Sequence, residues 1–499
     1  MRYEVRYSER NGFSPRKAHF LLPFFFFLFF LNGFGQDIRV DISSSEEPGP
    51  TSANPIPLNF DFEGPVDKLE ISDFTISNGT FQNLLRGIPE FDFQNSQDLN
   101  DELSIELGFG DLFLALIGDR VSELIFEELK TAIISIDFNA QNELFYLTLG
   151  DGIYKLGEEV AVIKANEFDT PLDMVINKQN GKFYVANNGT GQIFVFDSNY
   201  QKIGSETIGA GGNAESDDPR GATGLALDAN GNIYVADNFM GDSSNQDAIK
   251  VYTPNGNLLI PPIKLYKGEQ IEDPFRIAVD EDNKIYLSES GGDNGRVLIF
   301  EKEGNKYNGL ESIEGNPQGT PGSLVIDDYG YLYVVDYMSD FNLTDLFNDP
   351  LQVLQNYKTI RDNQYTINVF DINNDFSFVT DFDNSELNLP IDLALDECGL
   401  ININNLQLSG EGPMGEILLD LDDDDVDEKY PTSINSTFDF TLKTFQREDS
   451  FTSEVVPENQ GLVEVILENV DLFQCGPQPE DEFSIEYKIE EEDTPPVFQ

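Results

Sequence analysis

The sequence predicts an all-β fold, a six-bladed β-propeller flanked by β-sandwich segments. One segment recurs six times between residues 131 and 421, each copy holds two or more short strands, and a proline opens most copies. Several strands per unit at a period of roughly 50 residues is how propeller blades read in sequence.

Each copy begins with an apolar strand that ends on Asp or Asn. A short turn often holding Gly follows, then an alternating strand centred on Tyr. The copies are Ile133-Ile-Ser-Ile-Asp137 with Leu144-Phe-Tyr-Leu147, Leu172-Asp-Met-Val-Ile-Asn177 with Lys182-Phe-Tyr-Val-Ala186, and Gly224-Leu-Ala-Leu-Asp228 with Asn232-Ile-Tyr-Val-Ala-Asp237. Then come Arg276-Ile-Ala-Val-Asp280 with Lys284-Ile-Tyr-Leu-Ser-Glu289, Ser323-Leu-Val-Ile-Asp327 with Tyr331-Leu-Tyr-Val-Val-Asp336, and Asp392-Leu-Ala-Leu-Asp396 with Leu400-Ile-Asn-Ile403.

The Asp or Asn opens the turn because its side chain accepts hydrogen bonds from backbone just ahead. Gly231 and Gly330 supply positive φ at no steric cost. Alternating aliphatic and aromatic residues suit a half-buried pleated strand. Third strands follow, clearest at Gln192-Ile-Phe-Val-Phe196, Ala248-Ile-Lys-Val-Tyr252, Arg296-Val-Leu-Ile-Phe300 and Tyr365-Thr-Ile-Asn-Val-Phe370. Fourth, weaker strands lead to Pro171, Pro219, Pro274, Pro321 and Pro390, spaced 48, 55, 47 and 69 residues apart.

The run Pro219-Arg-Gly-Ala-Thr-Gly-Leu-Ala-Leu-Asp-Ala-Asn-Gly-Asn-Ile-Tyr-Val-Ala-Asp237 resembles the NHL repeat family. The resemblance covers roughly 131–421 and implies a six-bladed propeller over 119–421. The last copy departs most, with Asn402 and Asn404 where Tyr and Val should alternate. Arg120-Val-Ser-Glu-Leu-Ile-Phe126 is the expected source of its outer strand.

Residues 37–118 read as a separate unit with strands at Ile38–Ile42, Ile56–Phe62 and Leu69–Thr80. The runs Ser52-Ala-Asn-Pro-Ile-Pro-Leu and Ile71-Ser-Asp-Phe-Thr-Ile-Ser-Asn-Gly-Thr-Phe resemble a bacterial Ig-like domain of surface proteins. Residues 422–429 read as an acidic linker and 430–492 as a second small β-sandwich, with strands at Ser436–Leu442, Leu462–Leu467 and Phe483–Tyr487. The tail 493–499, Asp-Thr-Pro-Pro-Val-Phe-Gln, resembles the opening of an HYR-type module.

Arg2, Arg6, Arg10, Arg16 and Lys17 precede an apolar run, His19 to Leu31, and small residues at Gly33 and Gly35. A positive start, a short apolar stretch and a small-residue exit make a signal peptide over 1–35, so a secreted or cell-surface protein is expected. The apolar stretch is short for a membrane span. Cleavage would remove five basic residues of 30 and two acidic of 91, moving the net charge from −61 to −64. It would also remove His19, the chain's one histidine.

That composition excludes whole classes. Phosphate binding needs a basic face, so no nucleic-acid partner is expected. Without histidine there is no Ser-His-Asp or Cys-His machinery and no His-ligated zinc. Neither standard phosphate-cradling Gly loop is present. Cys398 and Cys475 are the two cysteines, which an oxidising compartment would allow to pair; spacing alone leaves the bond open.

Calcium is the one cofactor these residues would suit. Asp420, Asp422 and Asp424 place acidic oxygens at alternate positions, as a hard cation needs, but the central Gly of a calcium loop is missing. Asp237, Glu289 and Asp336 end three successive second strands, and Asn187 ends a fourth. Some six-bladed propellers of the lactonase and gluconolactonase type hold calcium on such residues and hydrolyse esters. In the NHL pattern the same Asp caps a turn.

The ligand-binding candidates are Asn187, Asp237, Asn238, Glu289 and Asp336 with Arg220 and Arg276, which follow the blade-opening prolines. Either arginine would meet an acidic ligand or pair with neighbouring carboxylates. Long polar loops at 187–191, 238–247 and 289–295, and an insertion at 337–364 with Leu343, Phe347, Leu351, Leu354 and Lys358 at helical spacing, are expected on one propeller face. The function expected is that of a non-catalytic binding or adhesion protein whose loop face grips a protein or glycan. The alternative is a calcium-dependent lactonase-type hydrolase.

Overall fold

A computed structural model describes residues 40–43, 55–62, 64–66, 69–77, 79–99, 103–107, 129–164, 168–209, 219, 221–238, 247–290, 295–313, 319–337, 357–362, 365–382, 387–419, 428–457, 463–468 and 484–489. They divide into two compact units, residues 93–445 and residues 1–92 together with 446–499. Among the described residues no helix is long and apolar enough to cross a membrane.

The larger unit is a six-bladed β-propeller of antiparallel blades. Blade 1 has strands Ile133–Phe138, Leu144–Thr148, Gly152–Lys155 and Ile163–Lys164. Blade 2 has Pro171–Asn177, Lys182–Asn187 and Gln192–Phe196, and blade 3 has Ala222–Leu227, Ile233–Asp237 and Ala248–Tyr252. Their fourth strands reduce to bridges such as Ile193 to Ile208 and Ile249 to Ile263. Blade 4 has Pro274–Val279, Ile285–Glu289, Arg296–Glu303 and Lys306–Gly309; blade 5 has Thr320–Ile326, Tyr331–Tyr337, Thr366–Asp371 and Ser377–Phe382.

The first-to-second strand turn is the same device in all six blades. Asp327 shows it fully: one carboxylate oxygen accepts the N–H groups of Tyr329 (3.0 Å) and Tyr331 (2.8 Å), the other the Tyr333 hydroxyl (2.9 Å). Asp228, Asp280 and Asp396 repeat the backbone part, as do Asn139 and Asn177. The side chain satisfies donors that a tight turn would otherwise leave bare. Gly231 and Gly330 close these turns at φ +75° and +85°, where other residues are strained.

Adjacent blades bury what alternation directs inward. Tyr234, Ile249 and Val251 of blade 3 pack on Ile277, Ile285, Leu287 and Leu298 of blade 4 in one cluster. Each fully buried aliphatic side chain contributes about 1.5–3 kcal/mol. Gly224 lets the inner strands of blades 3 and 4 meet: a Cβ there would lie 2.6 Å from the Phe275 carbonyl oxygen.

Blade 6 corrects the expected boundaries. Its strands are Leu389–Leu395, Ile401–Leu419 and Glu428–Pro457, the last two pairing from Ile401 with Phe445 to Leu419 with Glu428. The acidic run from Asp420 therefore joins two hairpinned strands of one blade, not two domains. Asp420, Asp422 and Asp424 lie outside the described residues. The propeller also extends beyond 119–421, because its sixth blade takes its third strand from residues after 427.

The long third strand of blade 6 takes further partners from the N-terminal side of the chain. Leu103–Leu107 pairs with Ile434–Phe438, and Glu90–Asp98 pairs with the same long strand. Arg120–Phe126 lies outside the described residues. The Asn402 and Asn404 departure does not break the blade: Asn402 accepts from the Thr444 hydroxyl at 3.1 Å, and Asn404 donates to the Ile133 carbonyl at 2.9 Å. Polar partners on both sides let a buried strand tolerate amides.

The second correction concerns the flanks. Residues 37–118 and 430–492 do not form two separate sandwiches. In the smaller unit Ile56–Phe62 pairs with Asp449–Val455, and Gly79–Arg86 pairs with the same strand, while Phe74–Ser77 joins a sheet with Val463–Glu468 and Ser484–Ile489. Phe60, Phe62, Phe74 and Phe81 share one core with Phe451 and Val455. Both ends of the chain are thus needed for a single hydrophobic cluster, too small to divide.

Candidate functional site

Propeller geometry leaves the inner strands as edges, with free N–H and C=O groups around the central channel. One position per inner strand lies at these edges, Ser135, Asp173, Gly224, Arg276, Ser323 and Asp392, and all but Gly224 bring a polar side chain to them. Each strand carries a register irregularity there or beside it. A bulge of this kind re-aims a side chain.

Four of these residues accept the N–H of the next position in the following blade. The pairs are Ser135 with Met174 (3.2 Å), Asp173 with Leu225 (2.7 Å), Ser323 with Leu393 (3.1 Å) and Asp392 with Ile136 (2.9 Å). Hydroxyls donate to the carboxylates as well, Ser135 to Asp173 at 3.0 Å and Ser323 to Asp392 at 2.7 Å.

Arg276 does the opposite. Only 3% exposed, its guanidinium donates to the carbonyls of Leu172 (2.8 Å), Thr223 (2.5 Å) and Ile134 (3.3 Å), and lies 3.7 Å from Asp173. One side chain thereby links the inner strands of four blades. Of the two expectations for Arg276, the pairing with a neighbouring carboxylate is the one observed; it is buried rather than presented to a ligand. Arg220 lies outside the described residues.

Two residues after Ser135 on the same inner strand, Asp137 accepts the Ile176 N–H at 2.6 Å. Burial pushes its carboxyl up to about 7, against the pull of Lys178 and two backbone N–H groups, with Asp392 adding repulsion. Asp173 is also raised by burial, which Arg276 opposes.

The residues ending the second strands form a different set. Asn187 accepts the Asp169 N–H (2.7 Å), Asp237 that of Gly221 (2.8 Å), Glu289 that of Glu272 (2.9 Å) and Asp336 that of Gly319 (3.1 Å). Asn405 does the same in blade 6, accepting the Asn388 N–H at 2.8 Å. Each therefore ties down the loop that leads into its own blade.

Their remaining oxygens meet third-strand partners. Asp237 pairs with Lys250 at 2.7 Å, both buried; Glu289 with Arg296 at 2.5 Å; Asp336 accepts from the Asn368 amide at 3.3 Å. Burial raises the Glu289 carboxyl, opposed by the Glu272 N–H and Arg296. Asn238 is buried and its N–H reaches the Gly221 carbonyl at 2.9 Å. These groups are held within their own blades. Among the described residues no three His, Cys, Asp or Glu side chains are grouped to hold a metal ion.

Arg276 apart, the inner-ring residues are not among the sequence candidates. Their signal is a residue two places after the blade-opening proline, as in Pro171 to Asp173, Pro274 to Arg276, Pro321 to Ser323 and Pro390 to Asp392.

Connections differ sharply between the two ends of the blades. The first-to-second strand turns are tight, at 139–143, 178–181, 228–232, 280–284, 327–330 and 396–400. The second-to-third connections at the opposite end include 238–247, 290–295 and 338–365. Within the last, Tyr357–Asp362 is a short helix with Ile360 buried and Lys358 exposed; Arg361 donates to the Gly410 carbonyl at 2.9 Å. The other positions of the expected helical stripe, Leu343 to Leu354, lie outside the described residues.

No protein-family model and no curated protein matches the sequence. Solved structures similar to this chain include a streptogramin B lyase (11% identity, TM-score 0.36, covering 70% of this chain and 98% of that one). A virginiamycin B lyase from Staphylococcus aureus is 12% identical with TM-score 0.37, covering 72% and 99%. A gluconolactonase from Xanthomonas campestris is 12% identical with TM-score 0.39, covering 72% and 98%. Likeness at this level bears on no property of the site.

Proposed function

We propose that this is a non-catalytic binding protein working outside the cell, with the loop end of the propeller as its gripping surface for a protein or glycan. The observation that carries the reading is the partition of connections: rigid, capped turns at one end and all the long second-to-third loops at the other. Recognition residues concentrate on loops held by a rigid scaffold. The carboxylates a lactonase-type site would need are engaged in loop ties and ion pairs, which supports binding over hydrolysis.

The test is to probe arrays of polysaccharides and extracellular proteins with the full chain and with a variant in which residues 341–354 are replaced by a short Gly-Ser link. Loss of a captured ligand with an unchanged melting temperature is expected. Capture unaffected by the deletion, or calcium-dependent hydrolysis of a lactone panel, would overturn the reading.

An extracellular location is part of the same proposal, and Cys398 supports it, being disulfide-bonded. Disulfides persist in oxidising compartments. Denatured protein from its native source is expected to show no titratable thiol before reduction and two after. Two thiols before reduction would place the chain in a reducing compartment.

A further inference from the structure

Blades 4 and 5 leave a cleft between their outer strands, apart from both the channel and the loop end. It measures about 210 Å³ and is lined by Glu311 and Ile313 from blade 4 and by Phe370, Asp375, Phe376 and Phe378 from blade 5. That is room for one large side chain, below the size usual for a cofactor or metabolite pocket.

The aromatic wall is held in place from beneath. Phe370 and Ile313 are buried in the cluster the two blades share. Phe378 stands edge-on to Phe370 at 5.8 Å, and Phe376 edge-on to Tyr286 at 6.2 Å. Phe378 is nonetheless 44% exposed. Asp375 and Phe376 adopt φ of +50° and +55°, which side chains bearing a Cβ rarely do, so the turn itself imposes their positions. At the rim, the Glu311 and Asp375 carboxylates have no hydrogen bond or ion pair among the described residues.

We infer that this cleft seats an arginine side chain presented by a protein partner. A guanidinium stacks on aromatic faces and engages carboxylates through a fork of donors. Its alkyl stem covers apolar surface while the charge stays at the rim. Charge complementarity points the same way: 91 acidic residues face 30 basic ones over the whole chain, so an anionic partner is repelled and a basic one is drawn in.

The test uses the full chain and acetyl-Gly-Arg-Gly-amide, with the citrulline peptide as an uncharged counterpart of the same shape, titrated by NMR at low salt. The Arg peptide is expected to bind saturably and the citrulline peptide about tenfold more weakly. Glu311→Gln with Asp375→Asn should weaken the Arg peptide by about tenfold, and Phe378→Ala by about fivefold. Glu158→Gln with Glu159→Gln, an exposed acidic pair elsewhere, should leave it unchanged. Equal loss in that control pair means diffuse attraction to a polyanion and overturns the proposal. So does spermidine displacing the peptide at equal or lower concentration, or the absence of saturable binding. Melting curves of each variant verify that the fold is retained.

Discussion

Replacing Arg276 by Met is expected to cost about 3–5 kcal/mol of stability at neutral pH, the usual penalty for removing one partner of a buried ion pair. Met keeps much of the stem's volume, so the loss reports the guanidinium. Without it Asp173 remains buried beside Asp392 with no cation, and the carbonyls of Ile134, Leu172 and Thr223 lose a donor. Contact of the guanidinium with the Phe275 ring, 4.7 Å from its centroid, is lost as well.

Urea unfolding of the full chain measures this directly. Asp173→Asn in the Arg276→Met background should recover part of the loss, because an amide oxygen still accepts the Leu225 N–H without stranding a charge. A strictly additive double variant would show that the Asp173 charge is not what the arginine offsets. An Arg276→Met protein as stable as its parent would remove Arg276 from any structural role.

The second large effect is on pH dependence. The folded-state value of Asp137 is raised to about 7 from an ordinary 3.8. Between those values the folded protein holds a proton that the unfolded chain has released. Stability is therefore highest below the ordinary value and falls as pH rises toward the folded one. Asp173 is shifted in the same direction. Relief of repulsion among 91 acidic residues on acidification adds with the same sign.

A decrease of about 4 kcal/mol from pH 5 to pH 8 is expected, at about 1.4 kcal/mol per pH unit up to the folded-state value of each shifted group. Asp137→Asn isolates one contribution: its stability relative to the parent should rise by about 2–3 kcal/mol between pH 5 and pH 8. Parallel stability curves for the two proteins would refute the assignment.

The blade was legible in the sequence because every part of it is local. Asp327, Gly330 and Tyr333 lie within one turn and one strand, and the same spacing at Asp228, Gly231 and Tyr234 reports the same hydrogen bonds. Alternation gives each strand its buried side, and repetition at blade period gives the ring. The turn role of Asp237, Glu289 and Asp336 was legible for the same reason: a carboxylate at a strand end has donors of the neighbouring loop within reach.

What only the tertiary structure decided rests on partners far apart in the chain. Phe60 pairs with Phe451 and Phe438 with Leu103, and no local pattern names a strand's partner across hundreds of residues. A single core shared by both flanks follows from those pairings alone. So does the channel: Arg276 reads in sequence as one basic residue after a proline, and becomes a four-blade tie only when the ring brings three other edge strands within reach of its five donors.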